Sequence, residues 1–494
     1  MIDVVVIGAG INGLTAATML ARAGLAVEVV EARPVLGGMA AREPIADGYL
    51  APVGIYETTG VRPWMLNAVG IALSPELPRL HGSGGVVVDL AQRRVEGVDP
   101  TDAAAFEDLV ELVTRIGPLF WRLMDHPPID PVASGWRSLW AAARVGLSAR
   151  RLGFEALREL LRAAPMPLAD FLDERFESNA LKGLLAAEAL KYRFAGAKSP
   201  TTALDLLAAL VYQSAGIVPA CRLLERLVAA AKHHELRVRC GVRVSSVNFD
   251  GSRATGVTLS DGMRIEARSV LSTVHPRQTL CELISPRYLP AALRDDLRAW
   301  RSQGSTARLD LVLAQPLRDN AGRPLSRFAL SDNLSELERA YDQGKHRQST
   351  LEQLVLTGQQ FDLDGGFADR GHDAHVVCLT VQHVPSDRVV DENALRAAVR
   401  QRLSAIDANL AQHLRAERFT SVAALAQGFA LDGGQFEHGE LSLDQQYFMR
   451  PQIRCASYRA PLRGLYLGGN GSHPGRGFNG AAGALAANAM LADR

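Results

Sequence analysis

The first thirty residues combine an apolar run, a glycine-rich turn and a helical pattern. Residues 4–7 are Val, Val, Val and Ile, and this β-branched run predicts a strand that is buried on both faces. The segment that starts at Leu14 is rich in Ala and Leu and stops at Gly24, as a helix does. Residues 27–30 predict a second strand. Strand, turn, helix and strand in this order predict a parallel sheet of the α/β class.

Apolar spacing along the rest of the chain predicts a helical region followed by a region of strands. Between residues 64 and 164 the apolar residues recur at helical spacing, and the pattern continues through residues 168–192. Apolar and polar residues alternate between 236 and 273, which predicts strands joined by hairpin turns. The remaining predicted elements are strands at 86–90, 309–313, 376–383 and 465–467, and helices at 393–414 and 480–490.

Three glycines, Gly8, Gly10 and Gly13, separate the first strand from the first helix at the spacing of the dinucleotide fingerprint. They permit a tight turn, close approach of a pyrophosphate, and close packing of the helix on the strand. Glu31 follows at the end of the second strand, where the fingerprint places a carboxylate for a ribose. The glycine pair at 37–38 indicates backbone in contact with a flat or bulky group. The sequence therefore predicts a dinucleotide site.

The stretch Glu-Ala-Arg-x-x-x-Gly-Gly after GxGxxG resembles the FAD-binding segment of flavoprotein oxidoreductases related to amine oxidases and phytoene desaturases. In such proteins the strand that contains Val244 here passes the adenine. Met39 stands where these proteins often have Arg or Ala, and it makes an uncharged flavin neighbour. The resemblance implies that FAD is bound by Gly8, Gly10, Ile11, Asn12, Gly13, Glu31, Ala32, Arg33, Gly37, Gly38, Met39 and Val244.

The last sixty residues carry a second set of motifs. Residues 433–451 contain Gly-Gly, His-Gly-Glu-Leu, Asp-Gln and Arg-Pro, and residues 471–475 are Gly-Ser-His-Pro-Gly. This series resembles the carboxy-terminal signature of the phytoene desaturase family, above all its bacterial branch. The chain departs from the family's pattern at Asn470, where a small or acidic residue is usual, and at residues 215–218, where a Gly-Gly-Met-like segment is common. The resemblance implies further FAD contacts from Gly469, Asn470, Phe478, Asn479, Gly480 and Ala481.

The resemblance covers nearly the whole chain and implies an α/β fold with two domains. A discontinuous, Rossmann-like FAD-binding domain is expected to comprise residues 1–70, 219–285 and 456–494. An α+β substrate-binding domain with a mixed sheet and a helical cap is expected to comprise residues 71–218 and 286–455. The apolar helical segments of the cap would supply a long apolar tunnel for the substrate.

The implied function is an FAD-dependent oxidoreductase that transfers hydride between a hydrophobic, polyene- or isoprenoid-like small molecule and flavin N5, with FAD bound non-covalently. Only one dinucleotide fingerprint is present, so the electron acceptor is expected to be oxygen, a quinone or a transiently bound NAD(P). Amine oxidation and reductive cyclisation or saturation of a polyene stay open as alternatives. A non-catalytic binding protein on the same scaffold is disfavoured by the intact glycines and Glu31.

His438 and Glu440 are the candidates for proton transfer, because they lie just before the loop that is expected to meet the flavin. Histidine suits this role by its ordinary pKa, and a carboxylate could orient it or act itself. Each has a structural alternative: His438 as a structural histidine, and Glu440 as the ion-pair partner of Arg450. His473 is a third candidate, with the fixing of its own loop as the alternative.

Charge and cysteine content disfavour several other classes. The 54 basic and 53 acidic residues give a net charge of +1, so nothing favours a nucleic acid as partner. The five scattered cysteines predict neither a metal site nor a disulfide framework, and with no secretory signal they predict a cytoplasmic protein. Tryptophans and arginines in residues 117–151 fit either a core-facing cap or a peripheral contact with a membrane surface. The sequence predicts no particular oligomeric state.

Overall fold

Helices and strands alternate along the chain, and the computed structural model describes them in residues 2–46, 48–129, 136–319, 322–346, 353–362, 374–385 and 391–494. The helices are α1 (Ile11–Arg22), α2 (Pro63–Val69), α3 (Pro100–Met124), α4 (Trp136–Arg151), α5 (Phe154–Ala163), α6 (Leu168–Asp173), α7 (Asn179–Ala189), α8 (Thr202–Ser214), α9 (Ala220–His233), α10 (Ala291–Arg298), α11 (Leu334–Lys345), α12 (Glu392–Ser404), α13 (Leu410–His413), α14 (Val422–Phe429) and α15 (Ala481–Ala492). The strands are β1 (Ile2–Ile7), β2 (Val27–Val30), β3 (Arg42–Ala46), β4 (Tyr49–Pro52), β5 (Glu57–Thr59), β6 (Arg79–His81), β7 (Val87–Asp89), β8 (Arg94–Glu96), β9 (Ile217–Pro219), β10 (Arg237–Arg239), β11 (Val244–Asp250), β12 (Arg253–Leu259), β13 (Arg264–Ser272), β14 (Ala307–Leu313), β15 (Arg327–Leu330), β16 (Leu356–Asp362), β17 (His375–Val381), β18 (Leu414–Thr420) and β19 (Leu465–Leu467).

One sheet is assembled from strands that lie far apart in the sequence. Its order is β10-β2-β1-β13-β12-β11, and β19 also pairs with β13. Strands β10, β2, β1, β13 and β19 are parallel, while β11 and β12 extend the sheet in antiparallel fashion. The β-branched run of β1 is buried, as its composition predicts, and α1 packs beside it against α9 and α15. The Rossmann-like arrangement is thereby confirmed, whereas the exact domain limits stay a prediction.

A second, mixed sheet has the order β18-β14-β17-β16-β15-β6-β7-β8. Its pairs are antiparallel except β15 with β6. Helices α3, α6, α7 and α8 direct apolar residues into a closed core against one side of this sheet. The expected combination of a mixed sheet with a helical cap is confirmed, and the fold as a whole is α/β.

Two of the predicted helical regions are interrupted. The helix predicted over 168–192 is divided into α6 and α7, because Asp102 accepts a hydrogen bond from the backbone N–H of Ser178 at 2.7 Å. The Ser178 side chain then caps α7. Within the predicted helical region 64–164, the strand predicted at 86–90 is confirmed as β7, while residues 79–81 and 94–96 form the unpredicted strands β6 and β8. Contacts with distant residues therefore override the local apolar spacing at both places.

The segment 117–151 is divided between core and surface. Trp121 packs edge-on against Phe120 and lies 5.0 Å from the ring of Tyr212, so it belongs to the cap core. Trp140 on α4 is 64% exposed, while residues 130–135 lie outside the described part of the chain. Every helix among the described residues is too short or too polar to span a bilayer.

Candidate functional site

A groove lies at the carboxyl ends of β1, β2 and β13, where the amino-terminal end of α1 forms part of its wall. Gly10 is the N-cap residue of α1, and because it has no side chain it caps none of the N–H groups of the helix. The first turn of α1 contains no acidic residue. Its free backbone N–H groups and positive end are therefore available to an anionic group such as a pyrophosphate. The residues predicted from sequence that line the groove are Gly8, Gly10, Ile11, Asn12, Glu31, Ala32, Arg33, Gly37, Gly38, Met39, Val244, Asn470, Phe478 and His438.

Close packing of α1 on β1 depends on Gly13. A Cβ atom at this position would lie 1.9 Å from the backbone oxygen of Gly8. On the other side, Gly37 adopts a φ of +112°, and its N–H donates to the oxygen of Ala9 at 2.9 Å. The two glycine-containing loops thus form one continuous wall of backbone, which a dinucleotide can approach closely.

The carboxylate of Glu31 is held rigidly at the groove. One oxygen accepts the backbone N–H of Ala9 at 2.7 Å, and the other accepts the N–H of Arg33 at 2.9 Å. The Arg33 guanidinium donates to the oxygen of Gly38 at 3.1 Å and lies over the ring of Phe429. Because each carboxylate oxygen can accept a second hydrogen bond, Glu31 is a preformed acceptor for ribose hydroxyls. These residues fit the adenosine half of FAD.

Part of the groove wall is formed by residues that lie outside the sequence motifs. Phe429, at the end of α14, and the following Ala430 and Leu431 cover the groove from the side of the second sheet. Thr273 to His275, directly after β13, line it from below. Sequence position at the carboxyl end of a predicted strand could have indicated residues 273–275. The contribution of α14 depends on tertiary packing alone.

The other residues predicted at the cofactor support the groove from behind and do not line it. Asn479 donates to the backbone oxygens of Thr59 and Gly60 at 2.9 Å and accepts the N–H of Ala481 at 3.0 Å. A Cβ on Gly469 would lie 2.3 Å from the oxygen of Thr273. The residues of this group are Gly13, Gly469, Asn479, Gly480 and Ala481.

His438 lines the groove, but its imidazole is neutral. Burial, with the neighbouring His275 and Arg450, lowers the pKa of His438 to about 3. The ring lies 5.6 Å from that of His275, and the backbone oxygen of His438 accepts the indole N–H of Trp300. At neutral pH His438 can therefore offer a hydrogen bond to a ligand in the groove, but it carries no acidic proton of an imidazolium.

Glu440 and His473 face away from the groove. The Glu440 carboxylate pairs with Arg301 at 3.1 Å. The alternative that paired Glu440 with Arg450 is wrong, because the Arg450 guanidinium donates to the backbone oxygen of Glu440 instead. The His473 ring lies 3.0 Å from the backbone oxygen of Leu123, which ties its loop to the end of α3.

A small chamber adjoins the groove at Phe478, which lines both. Its volume is about 60 Å³, enough for roughly four to six water molecules at ~10–15 Å³ each. The lining of this chamber is charged and polar, because α7 and α8 place Glu188, Tyr212 and Gln213 on it and direct apolar residues into the closed core. The long apolar tunnel expected from residues 71–218 stays a prediction. The charged residues of the chamber lining are Glu57, Glu188, Lys191, Arg327, Glu437 and Arg476.

Known proteins are similar to this chain in sequence and in fold. The family described as flavin containing amine oxidoreductase matches residues 11–491. The mouse protein named pyridine nucleotide-disulfide oxidoreductase domain-containing protein 2 is 29% identical, over 99% of this chain and 93% of its own. Phytoene desaturase (lycopene-forming) of Paracoccus sp. is 25% identical, over 99% and 97%. The structure of cyclohexylamine oxidase from Brevibacterium oxydans is similar with a TM-score of 0.59 at 15% identity, over 100% of both chains, which shows a shared fold.

Proposed function

The chain belongs to the family of flavin-containing amine oxidoreductases, and we propose that it dehydrogenates a small molecule with FAD bound non-covalently in the groove. As a member of this family it is a flavin-dependent oxidoreductase. The observation that carries the proposal is the groove itself, which joins the Glu31 carboxylate and the uncapped start of α1 to His438 and Phe478. When bound, FAD accepts a hydride from a substrate C–H bond. None of the described residues lining the groove is a cysteine, which supports non-covalent binding.

For the reaction class we favour desaturation of a C–C bond in an isoprenoid-like molecule. The similarity to phytoene desaturase over nearly the whole of both chains supports this choice. Amine oxidation is the second candidate in the same family. It is less well supported, because Tyr192 stacks on Phe436 at 5.0 Å and meets Phe478 edge-on at 5.5 Å. Because these three rings contact one another, they do not form an opposed pair that could hold an amine between them.

Anaerobic reduction of the bound flavin tests the proposed function. The purified protein is mixed with a panel of isoprenoid hydrocarbons, their alcohol and carboxylic acid counterparts, and primary amines. Loss of the oxidised flavin absorbance with an isoprenoid compound is the expected result. Reduction by amines alone would replace desaturation with amine oxidation, and a protein that binds no FAD would refute both. Reoxidation of the reduced protein by oxygen, a quinone or NAD(P)+ then identifies the electron acceptor.

Replacing Glu31 by alanine is expected to weaken FAD binding by roughly 10- to 100-fold, since a hydrogen bond to a charged group contributes about 1.5–3 kcal/mol. Titration of the flavin-free protein with FAD, followed by flavin fluorescence, gives the dissociation constant. Glu28→Ala is the matched control, because Glu28 lies on β2, which directly precedes Glu31, but pairs with Arg239 outside the groove. Equal affinities for FAD in both variants would contradict the assignment of Glu31.

We also propose that α4 and α5 form a peripheral contact with an anionic membrane. Five apolar side chains of these helices are more than half exposed: Leu139, Trp140, Leu147, Phe154 and Leu161. The sequence of α4 contains four arginines and no acidic residue, which complements an anionic lipid surface.

Co-sedimentation with vesicles tests this contact. The wild type is expected to bind phosphatidylglycerol vesicles and not phosphatidylcholine vesicles, and Trp140→Ser is expected to lower binding several-fold. Leu443→Ser, at an exposed leucine elsewhere on the surface, is the control and should bind like the wild type. Absence of wild-type binding to either vesicle would refute the contact.

A further inference from the structure

Neighbouring side chains in residues 437–440 point to three different places. His438 lines the groove, Glu437 lines the chamber, and Glu440 turns outward to Arg301. Phe478 lines both the groove and the chamber, so the chamber that Glu437 lines adjoins the groove at Phe478. Among residues 437–440, Glu437 is therefore the one whose carboxyl borders the chamber that adjoins the groove.

Hydrogen bonds to both the backbone N–H and the backbone carbonyl of Glu437 fix the position of this residue. Its N–H donates to the side-chain oxygen of Gln435 at 3.0 Å, and its carbonyl accepts from the guanidinium of Arg450. Gln435 in turn donates to the backbone oxygen of Tyr192 at 3.1 Å. Because the backbone is anchored on both sides of Glu437, the side chain of this residue is held in the chamber.

The Glu437 carboxyl is buried and has a vacant acceptor. The side chain is 4% exposed, and its Oε2 has no hydrogen-bond partner among the described residues. Glu57 and Glu188 each have one oxygen in an ion pair, with Lys191 at 2.7 Å and with Arg327 at 2.5 Å, although their second oxygens, Oε2 and Oε1, also lack a hydrogen-bond partner among the described residues. Among the described residues Glu437 has no ion-pair partner, unlike these two acids. An unpaired buried carboxyl oxygen costs about 1–3 kcal/mol, so packing does not account for it.

Two phenol groups of the chamber are likewise free to meet a ligand. The hydroxyls of Tyr192 and Tyr212 are buried and have no hydrogen-bond partner among the described residues. Buried donors and acceptors without partners, on residues that line a space of this size, indicate a small polar group or a few water molecules.

We propose that the chamber receives a polar group of the substrate and that Glu437 accepts the proton released during dehydrogenation. This inference rests on the proposed function. Two C–H bonds break in the reaction. One hydrogen leaves as a hydride to the oxidised flavin, and the other leaves as a proton to the Glu437 carboxylate. The electron pair of the second C–H bond forms the new double bond, so atoms and electrons balance. Glu437 is then a catalytic residue, and the preferred substrate is an oxygenated isoprenoid rather than a hydrocarbon.

Protonation of Glu437 sets the expected pH dependence. Burial raises the pKa of Glu437 to about 7, against the opposing effect of Arg476, Arg450 and Arg193 and with support from Asp205. Its other charged or titratable neighbours are the chamber residues Glu57, Glu188, Lys191, Arg327, Tyr192 and Tyr212. Below pH 7 the carboxyl holds a proton and cannot accept another, so flavin reduction should speed up as the pH rises through about 7. His438 does not contribute to this step, because its pKa of about 3 leaves it neutral from pH 5.5 to 9.

Three variants and two measurements test the proposal. Glu437→Gln removes the acceptor, Glu440→Gln tests the rival carboxylate, and Glu336→Gln is a control at another buried carboxyl whose pKa burial raises. The first measurement follows the flavin absorbance of the resting protein from pH 5.5 to 9. The second follows the rate of anaerobic flavin reduction by the most reactive panel compound. Should Glu437→Gln lose FAD, Glu437→Asp replaces it, and it is expected to keep the pH step while reducing the rate.

The expected result is a spectral step near pH 7 in the wild type, Glu440→Gln and Glu336→Gln, and no step in Glu437→Gln. Glu437→Gln should bind FAD but be reduced about 100-fold more slowly or worse, as loss of a general base predicts. An unchanged rate and pH profile in Glu437→Gln, or a loss confined to Glu440→Gln, would overturn the inference. If no panel compound reduces the wild-type flavin, the proposed function fails, and the spectral step alone decides the placement of Glu437.

Discussion

Replacing Gly13 by alanine is expected to yield a protein that keeps less than about a tenth of the wild-type FAD. The added Cβ would lie 1.9 Å from the oxygen of Gly8 and 3.3 Å from the hydroxyl of Thr273. Neither atom can give way, since the first belongs to the turn after β1 and the second donates to the backbone of Ile7 at 2.9 Å. Helix α1 must therefore move off the sheet, at a cost of about 3 kcal/mol or more. A cost of about 1.4 kcal/mol in binding alone lowers affinity tenfold.

The absorbance ratio of flavin to protein after purification measures this effect, and thermal unfolding shows whether the sheet itself is weakened. Gly117→Ala is the matched control, because Gly117 lies within α3 with open space where the Cβ would be. Alanine should stabilise that helix by about 0.5–1 kcal/mol and leave the FAD content unchanged. Full FAD occupancy in Gly13→Ala would show that the close approach of α1 is not needed for cofactor binding.

Replacing Arg327 by methionine is expected to destabilise the protein by about 3–5 kcal/mol, because it leaves buried carboxylates without their main partner. Arg327 donates to Glu57 at 3.0 Å and to Glu188 at 2.5 Å, and all three side chains are nearly inaccessible to solvent. Burial tends to raise the pKa of Glu57, but Arg327 and Lys191 outweigh it and hold that pKa below its usual range. Without Arg327 the balance shifts towards the protonated carboxyl.

The melting temperature at two pH values checks this prediction. The difference between Arg327→Met and wild type should be larger at pH 8 than at pH 5.5, because protonation at low pH relieves the unpaired charge. Arg323→Met is the control: Arg323 pairs with Asp319 but is 39% exposed, so its loss should cost under about 1 kcal/mol. A similar small cost for both variants would mean that the buried ion pairs contribute little.

The chamber changes the picture of the substrate more than any other feature. An apolar tunnel would suit a hydrocarbon, whereas Glu57, Lys191 and Arg327 surround a space that holds only a small polar group. A substrate of mixed character, with an apolar skeleton and one hydrogen-bonding end beside the reacting carbons, fits both this chamber and the similarity to phytoene desaturase.

The sequence by itself determined the nucleotide end of the site. The strand at residues 4–7, the turn with Gly8 and Gly10 and the carboxylate of Glu31 all depend on neighbours within a few residues or on one short βαβ unit. Local sterics decide such features: β-branched residues favour a strand, and glycine alone fits the close contacts of the turn. The same holds for the strand, loop and helix at the carboxy-terminal end, β19 and α15.

Only the tertiary structure decided which side chains meet at the reacting end. Residues 435–440 have no periodicity, so nothing local distinguishes the directions of Glu437, His438 and Glu440. Their orientations follow from partners that are distant in sequence, such as Arg301 for Glu440 and the backbone of Tyr192 for Gln435. The charged chamber likewise joins β5, α7 and β15, which come together only when the second sheet, its helical cap and the antiparallel pair of β5 with β9 have assembled. Burial and ion pairing are properties of the assembled fold, and for that reason the local pattern led to His438 and Glu440, whereas we propose Glu437 from the structure.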